Sequence, residues 1–118
     1  MFFSARGKVN QPPHDNVRSV VAEKLKLGCL WKTLARDLRP NVPDPVIQTI
    51  EYEEKRNGKE CCRVALRKWH ERHTSEATTR ELMRCLTKMG YANVNWHIMR
   101  ELDLVSLENM PDSERLST

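Results

Sequence analysis

Apolar residues recur at helical spacing from about residue 15 to residue 104, and no stretch alternates as a strand would. Asp15 and Asn16 offer N-caps for a first helix. In it Val17, Val20, Val21 and Leu25 share a face, and Gly28 is the stop. The second helix has the broadest stripe: Leu30, Trp31, Leu34, Ala35 and Leu38, with Pro40 ending it. Asp44 followed by Pro45 predicts a capped third helix, with Ile47 and Ile50 inward and Glu51, Glu53 and Glu54 left for solvent. Asn57-Gly58 reads as the turn that follows.

Asn57 and Glu60 have the spacing of a capping pair. The fourth helix behind them buries Cys62, Ala65, Leu66 and Trp69. Thr78-Thr79-Arg80-Glu81 predicts a complete capping box, the Thr hydroxyl and the Glu carboxylate each accepting from a backbone N–H. A fifth helix then places Leu82, Cys85, Leu86 and Met89 inside and stops at Gly90. Asn93 caps a sixth, with Val94, Ile98, Met99 and Leu102 inward and Trp96 partly exposed. Short helices bury such stripes only against one another. The expected architecture is all-α, a six-helix antiparallel bundle. Its expected core includes Trp31, Leu34, Leu38, Ile47, Ile50, Leu66, Trp69, Leu82 and Leu86. Residues 1–14 and 105–118 lack the period and read as tails around a domain spanning 15–104.

A chain of 118 residues with 39% apolar content suits one domain with one modest core. Its 20 basic residues are interleaved with 16 acidic ones, for a net charge of +4. A dedicated nucleic-acid binder gathers its cations on one stripe, so no nucleic-acid partner is expected, and a helical DNA-binding domain stands only as a distant alternative. Mixed signs suit a protein partner that carries both. No apolar run approaches the roughly 18 residues of a membrane span. Met1-Phe2-Phe3, soon followed by Arg6 and Lys8, is too short for a signal-peptide core. The expectation is a soluble cytoplasmic domain with no membrane contact of its own, whether it stands alone or forms the cytoplasmic part of a receptor.

Candidate chemistry is sparse. Cys29, Cys61, Cys62 and Cys85 lie in helical patterns among apolar residues and are expected to be reduced thiols. Cys61, Cys62, His70 and His73 have ligand types that suit zinc, but their spacing matches no common finger, so neither metal nor cofactor is expected. Cys61 beside Arg63 lacks an orienting third group, so no thiol catalysis is expected. Glu51, Glu53 and Glu54 point in different directions on one helix and read as a solvated face. The cations Arg63, Arg67, Lys68 and Arg72 read as a basic stripe on the fourth helix, and Arg36 with Arg39 as a second basic patch.

Four ordered pieces carry a family resemblance. Trp31-Lys32-Thr33-Leu34-Ala35-Arg36-Asp37-Leu38 resembles the W-x-x-L-A-R-x-L of the second helix in death domains. Ile47-Gln48-Thr49-Ile50-Glu51 resembles the I-x-x-I-E of their third, and Glu60, Leu66 and Trp69 fit the E-x5-L-x2-W of their fourth. Ala77-Thr78, Leu82, Leu86 and Met89-Gly90 fit the fifth. The similarity covers roughly residues 15–104 and is nearest to adaptor death domains. It implies a non-catalytic module that binds other death-domain proteins (adaptor, receptor or kinase), or itself, in apoptosis or innate immunity. Assembly in that family joins complementary charged patches. Glu51, Glu53 and Glu54 of one copy would then meet Arg63, Arg67 and Arg72 of the next, with Arg36, Arg39 and Lys68 beside them. A caspase-recruitment or death-effector domain shares the bundle, but Trp69 and the fifth-helix pattern argue against it. Arg39-Pro40-Asn41-Val42-Pro43 departs from the family's short Gly-Leu-Ser-like turn between the second and third helices.

Overall fold

The computed structural model describes the backbone of residues 9–108 and the side chains of residues 9–102. Among the described residues it contains six helices and no strand: α1 Asp15–Lys24, α2 Leu30–Asp37, α3 Asp44–Glu53, α4 Gly58–Arg72, α5 Thr79–Lys88 and α6 Ala92–Glu108. The protein is an all-α six-helix bundle. α4 touches α1, α2 and α3, while α6 lies against α1 and α5. All nine side chains named above as core are buried. Val9, Val42 and Ala77 join them from connecting segments where no period could announce them.

The link between α2 and α3 is long but held at several points. Helix α2 ends at Asp37, ahead of Pro40, with Leu38 already extended. The Val42 N–H donates to the Ala35 carbonyl at 2.9 Å, and the Trp69 indole Nε1–H donates to the Pro40 carbonyl at 2.7 Å. Trp69 thus fills the core and also pins the segment that departs from the family pattern.

Several caps differ from the sequence expectation, for one physical reason. His14, not Asp15 or Asn16, is the N-cap of α1, and Pro43, not Asp44, that of α3. Both aspartates lie in the first turn, where a negative charge still suits the helix dipole. Their carboxylates accept charge-assisted bonds from neighbouring guanidinium groups: Asp15 lies 3.5 Å from Arg18 and from Arg63, and Asp44 3.1 Å from Arg36. Asn57 does cap α4, accepting from the Glu60 N–H at 3.1 Å, but the Glu60 carboxylate turns to Arg63 at 3.2 Å. Asn93 sits inside the first turn of α6. The expected Asn57-Gly58 turn is instead made by Lys55 and Arg56, both with positive φ, and Gly58 is already helical. Cys29, placed in a helical pattern by the sequence, is the exposed N-cap residue of α2.

The capping box of α5 is half formed. The Thr78 hydroxyl accepts from the Glu81 N–H at 3.2 Å. The Glu81 carboxylate does not turn back to its own N-cap but accepts from the Arg39 N–H at 3.0 Å and from Arg84, one turn further along α5, at 2.6 Å. Two more donors at the start of α5 are satisfied from residues first read as tail. The Thr79 N–H donates to the Gln11 carbonyl at 2.9 Å and the Arg80 N–H to the Val9 carbonyl at 2.8 Å. Residues 9–11 therefore close this helix end, and burial of Val9 anchors them there. At the other end α6 runs to Glu108, past the expected boundary at 104.

Burial acts to raise the Glu81 carboxyl, but Arg84 and the Arg39 N–H outweigh it and hold the group below its ordinary value of 4.5. A depressed folded-state value gives stability that is present above about pH 4.5 and is lost as pH falls through the folded value. Glu81→Gln should cost about 1–2 kcal/mol at pH 7 and flatten the acid limb of the stability profile. Urea melts at neutral and acidic pH will show this. Parallel profiles for the two proteins would mean that the Glu81 charge adds nothing.

Candidate interaction surface

Residues on α4 turn by about 100° each, which splits the expected basic stripe in two. Arg63 and Arg67 face α1, and Lys68 and Arg72 lie about 140° away, against α3. On the α1 side, Asp15, Arg18, Glu60, Arg63 and Arg67 surround a cleft of about 90 Å³ with their charges largely matched. Arg63 has Glu60 at 3.2 Å and Asp15 at 3.5 Å; the bond from Glu60 holds its guanidinium above the ordinary value. Arg67 lies 3.6 Å from Glu71.

On the α3 side, Lys68 and Arg72 rim a groove of about 290 Å³ whose floor is Pro45, Val46 and Thr49. Neither cation has an ion-pair partner among the described residues. The Thr49 hydroxyl is occupied, donating to the Pro45 carbonyl at 2.9 Å.

The acidic trio also separates. Glu51 pairs with Lys32 of α2 at 2.5 Å, and that hydrogen bond keeps its carboxyl below the usual range. Glu54 is half-buried and its field reaches Cys61. Glu53 is exposed without a cation at ion-pair distance. Arg36 is taken up by Asp44, tying α2 to α3, whereas the Arg39 side chain is exposed and outside any such pair. The bundle therefore does not bring the nominated charges into two continuous patches. Arg36, Glu51, Arg63 and Arg67 serve internal pairs first, and Arg39, Glu53, Lys68 and Arg72 have no partner at ion-pair distance among the described residues.

Among the described residues three large apolar side chains are exposed: Leu27, Tyr52 and Trp96. Trp96 was expected outside, and the Arg100 guanidinium lies 5.6 Å from its ring centroid. Tyr52 was missed as a surface feature. It stands two residues, about 200°, from buried Ile50, so the same helical period that placed Ile50 inward points Tyr52 outward.

Cys61, Cys62 and Cys85 are buried thiols. Burial pushes the Cys62 thiol up to about 12 and that of Cys85 to about 11. Burial, with Glu54 and Glu51, raises Cys61 as well. The nucleophile is the thiolate, and these three groups are held protonated. Among the described residues no cluster of His, Cys, Asp and Glu has a geometry that could hold a metal, and no helix is long and apolar enough to cross a membrane.

A family model described as Death domain matches residues 19–102. No curated protein and no solved structure matches the chain. The match spans α2 to α5 entirely and most of α1, and it covers both tryptophans of the core, Trp31 and Trp69. With the six-helix bundle beside it, this chain belongs to the death-domain family.

Proposed function

We propose that the domain binds other death domains, of an adaptor, a receptor or a kinase, in cytoplasmic signalling of apoptosis or innate immunity. Its mechanism is association alone. Death domains are interaction modules for other death-fold domains, which supports the class. The observation that carries the surface is that charges of both signs have no ion-pair partner among the described residues: Glu53 on α3, with Arg39, Lys68 and Arg72 near the C-terminal ends of α2 and α4. Arg36, Glu51, Glu54, Arg63 and Arg67 would contribute from other faces of the bundle, with smaller weight where an internal partner must first be released. Exposed ion pairs contribute only about 0.2–1 kcal/mol each, so assembly depends on several contacts or on multivalency.

Arg72→Glu is the cleanest probe, because Arg72 is exposed and opens no cavity. Arg67→Glu would set two carboxylates at i and i+4, Glu71 being the second, and would disturb the helix itself. With Arg72→Glu the melting temperature should stay within a few degrees of wild type, while binding to purified adaptor, receptor or kinase death domains weakens about ten-fold or more. Sedimentation of the mixed proteins reads the second quantity. Unchanged binding, or no binding to any death domain tried, overturns the proposal.

A further inference from the structure

We infer that the exposed face of α3, with the rim of α4, is a self-complementary docking surface for a second copy of this chain. The geometry is that of one helix face. At about 100° per residue, Pro45, Val46, Thr49, Tyr52 and Glu53 fall within a sector of about 120°, with half-buried Val46 at its edge and buried Ile47 and Ile50 outside it. The first half of this face is the floor of the groove rimmed by Lys68 and Arg72. The second half offers a ring that is 86% exposed, Tyr52, and next to it the unpaired carboxylate of Glu53. Receptor and ligand features thus lie end to end along α3.

Two copies with their α3 helices antiparallel, crossing near Thr49, bring these halves together. Each residue rises about 1.5 Å, so Glu53 and Tyr52 of either copy lie across from Val46 and Pro45 of the other. Each Tyr52 then enters a groove, and each Glu53 meets the Lys68 and Arg72 of the opposite chain. A groove of about 290 Å³ is at the small end for a ligand site and suits a single side chain. Glu71 on the same rim is already turned toward Arg67 and does not repel the incoming carboxylate outright. The same patch is used on both sides, so the contact is isologous and closes at two copies rather than extending into a filament. One helix face buries less than a standard interface, so the dimer is weak.

This inference rests on reading the domain as an interaction module, and it is tested on the chain alone, so its failure leaves binding to other death domains untouched. Sedimentation equilibrium across about 10 µM to 1 mM should show the mass rising from 13.8 kDa toward twice that value and no further. Tyr52→Ala, Glu53→Arg and Arg72→Glu should each weaken dimerisation about ten-fold or more with unchanged melts. An equimolar mixture of the Glu53→Arg and Arg72→Glu chains should dimerise clearly more strongly than either variant alone, short of wild type because Lys68 stays unreversed. In that pairing one contact is native and the other is reversed on both sides. A chain that stays monomeric throughout overturns the inference. Mass that grows past the dimer, variants that dimerise normally, or a mixture that fails to recover does so equally.

Discussion

Trp69→Ala should lower stability by about 3–5 kcal/mol, the usual cost of truncating a large aromatic in a core. A small domain has about 5–15 kcal/mol in total, so the variant will be mostly unfolded or close to it at 37 °C. Two effects add at this position. Trp69 has no exposed surface, so removing the indole leaves a void among residues that cannot fully close on it. Its Nε1–H also donates to the Pro40 carbonyl at 2.7 Å, and without it that acceptor loses its bond. Trp69→Phe separates the two. It keeps most of the apolar body and removes the donor, and should cost about 1–3 kcal/mol. Urea denaturation of the three proteins at one pH measures the ladder. If the alanine variant melts within a few degrees of wild type, Trp69 is not a core residue. If the phenylalanine variant is as stable as wild type, the bond to Pro40 contributes nothing.

The helices and their inner faces were legible in the sequence because a 3.6-residue period leaves one phase for each stripe. Trp31, Leu34, Leu38, Ile47, Ile50, Leu66, Trp69, Leu82 and Leu86 all follow from it, and all are buried. Caps were less legible. An aspartate at a helix start can accept from its own backbone or from a guanidinium brought by another helix, and only the fold decides. Asp15, Asp44 and Glu81 all chose arginines or a distant N–H. Val9 was illegible for a different reason: a lone apolar residue in a Pro-containing segment has no period to reveal its phase. The split of the basic stripe, by contrast, was there to be read. Arg63 and Arg67 differ by about 40°, Lys68 and Arg72 likewise, and the two pairs are about 140° apart. What spacing alone never shows is which exposed charge already has a partner. Arg63 and Arg72 look alike in the sequence, yet Arg63 has Asp15 and Glu60 beside it while Arg72 faces an open groove.

Gly58→Ala should destabilise the protein by about 1–2 kcal/mol net, although helix propensity alone predicts the opposite sign. Gly58 is the first residue of α4 and has no positive φ, so alanine there would reduce unfolded-state freedom and gain about 0.4–1 kcal/mol if space allowed. Space does not allow it. A Cβ at this position would come 2.1 Å from the Lys26 carbonyl oxygen and 2.9 Å from its carbon. The obstacle is backbone, so no rotamer change relieves it; the start of α4 and the segment after α1 must move apart. That segment is also where Glu23 pairs with Lys26 and Lys59, and where α1 and α4 meet. Forced repacking of this kind costs about 1–3 kcal/mol, which exceeds the propensity gain, and at roughly 4 °C or more per kcal/mol the melting temperature should fall by about 5–10 °C. Gly28→Ala and Gly90→Ala serve as contrasts. Both glycines have positive φ, 62° and 90°, but open space around the missing Cβ, so their cost is backbone strain of about 1–2 kcal/mol with no displacement of neighbours. Amide exchange around Lys26 distinguishes the two mechanisms: protection there should drop in the Gly58 variant and stay unchanged in the other two. A Gly58→Ala protein that melts at or above wild type would show that the two segments part at little cost, and that the close approach of α4 to Lys26 is not a fixed feature of the bundle.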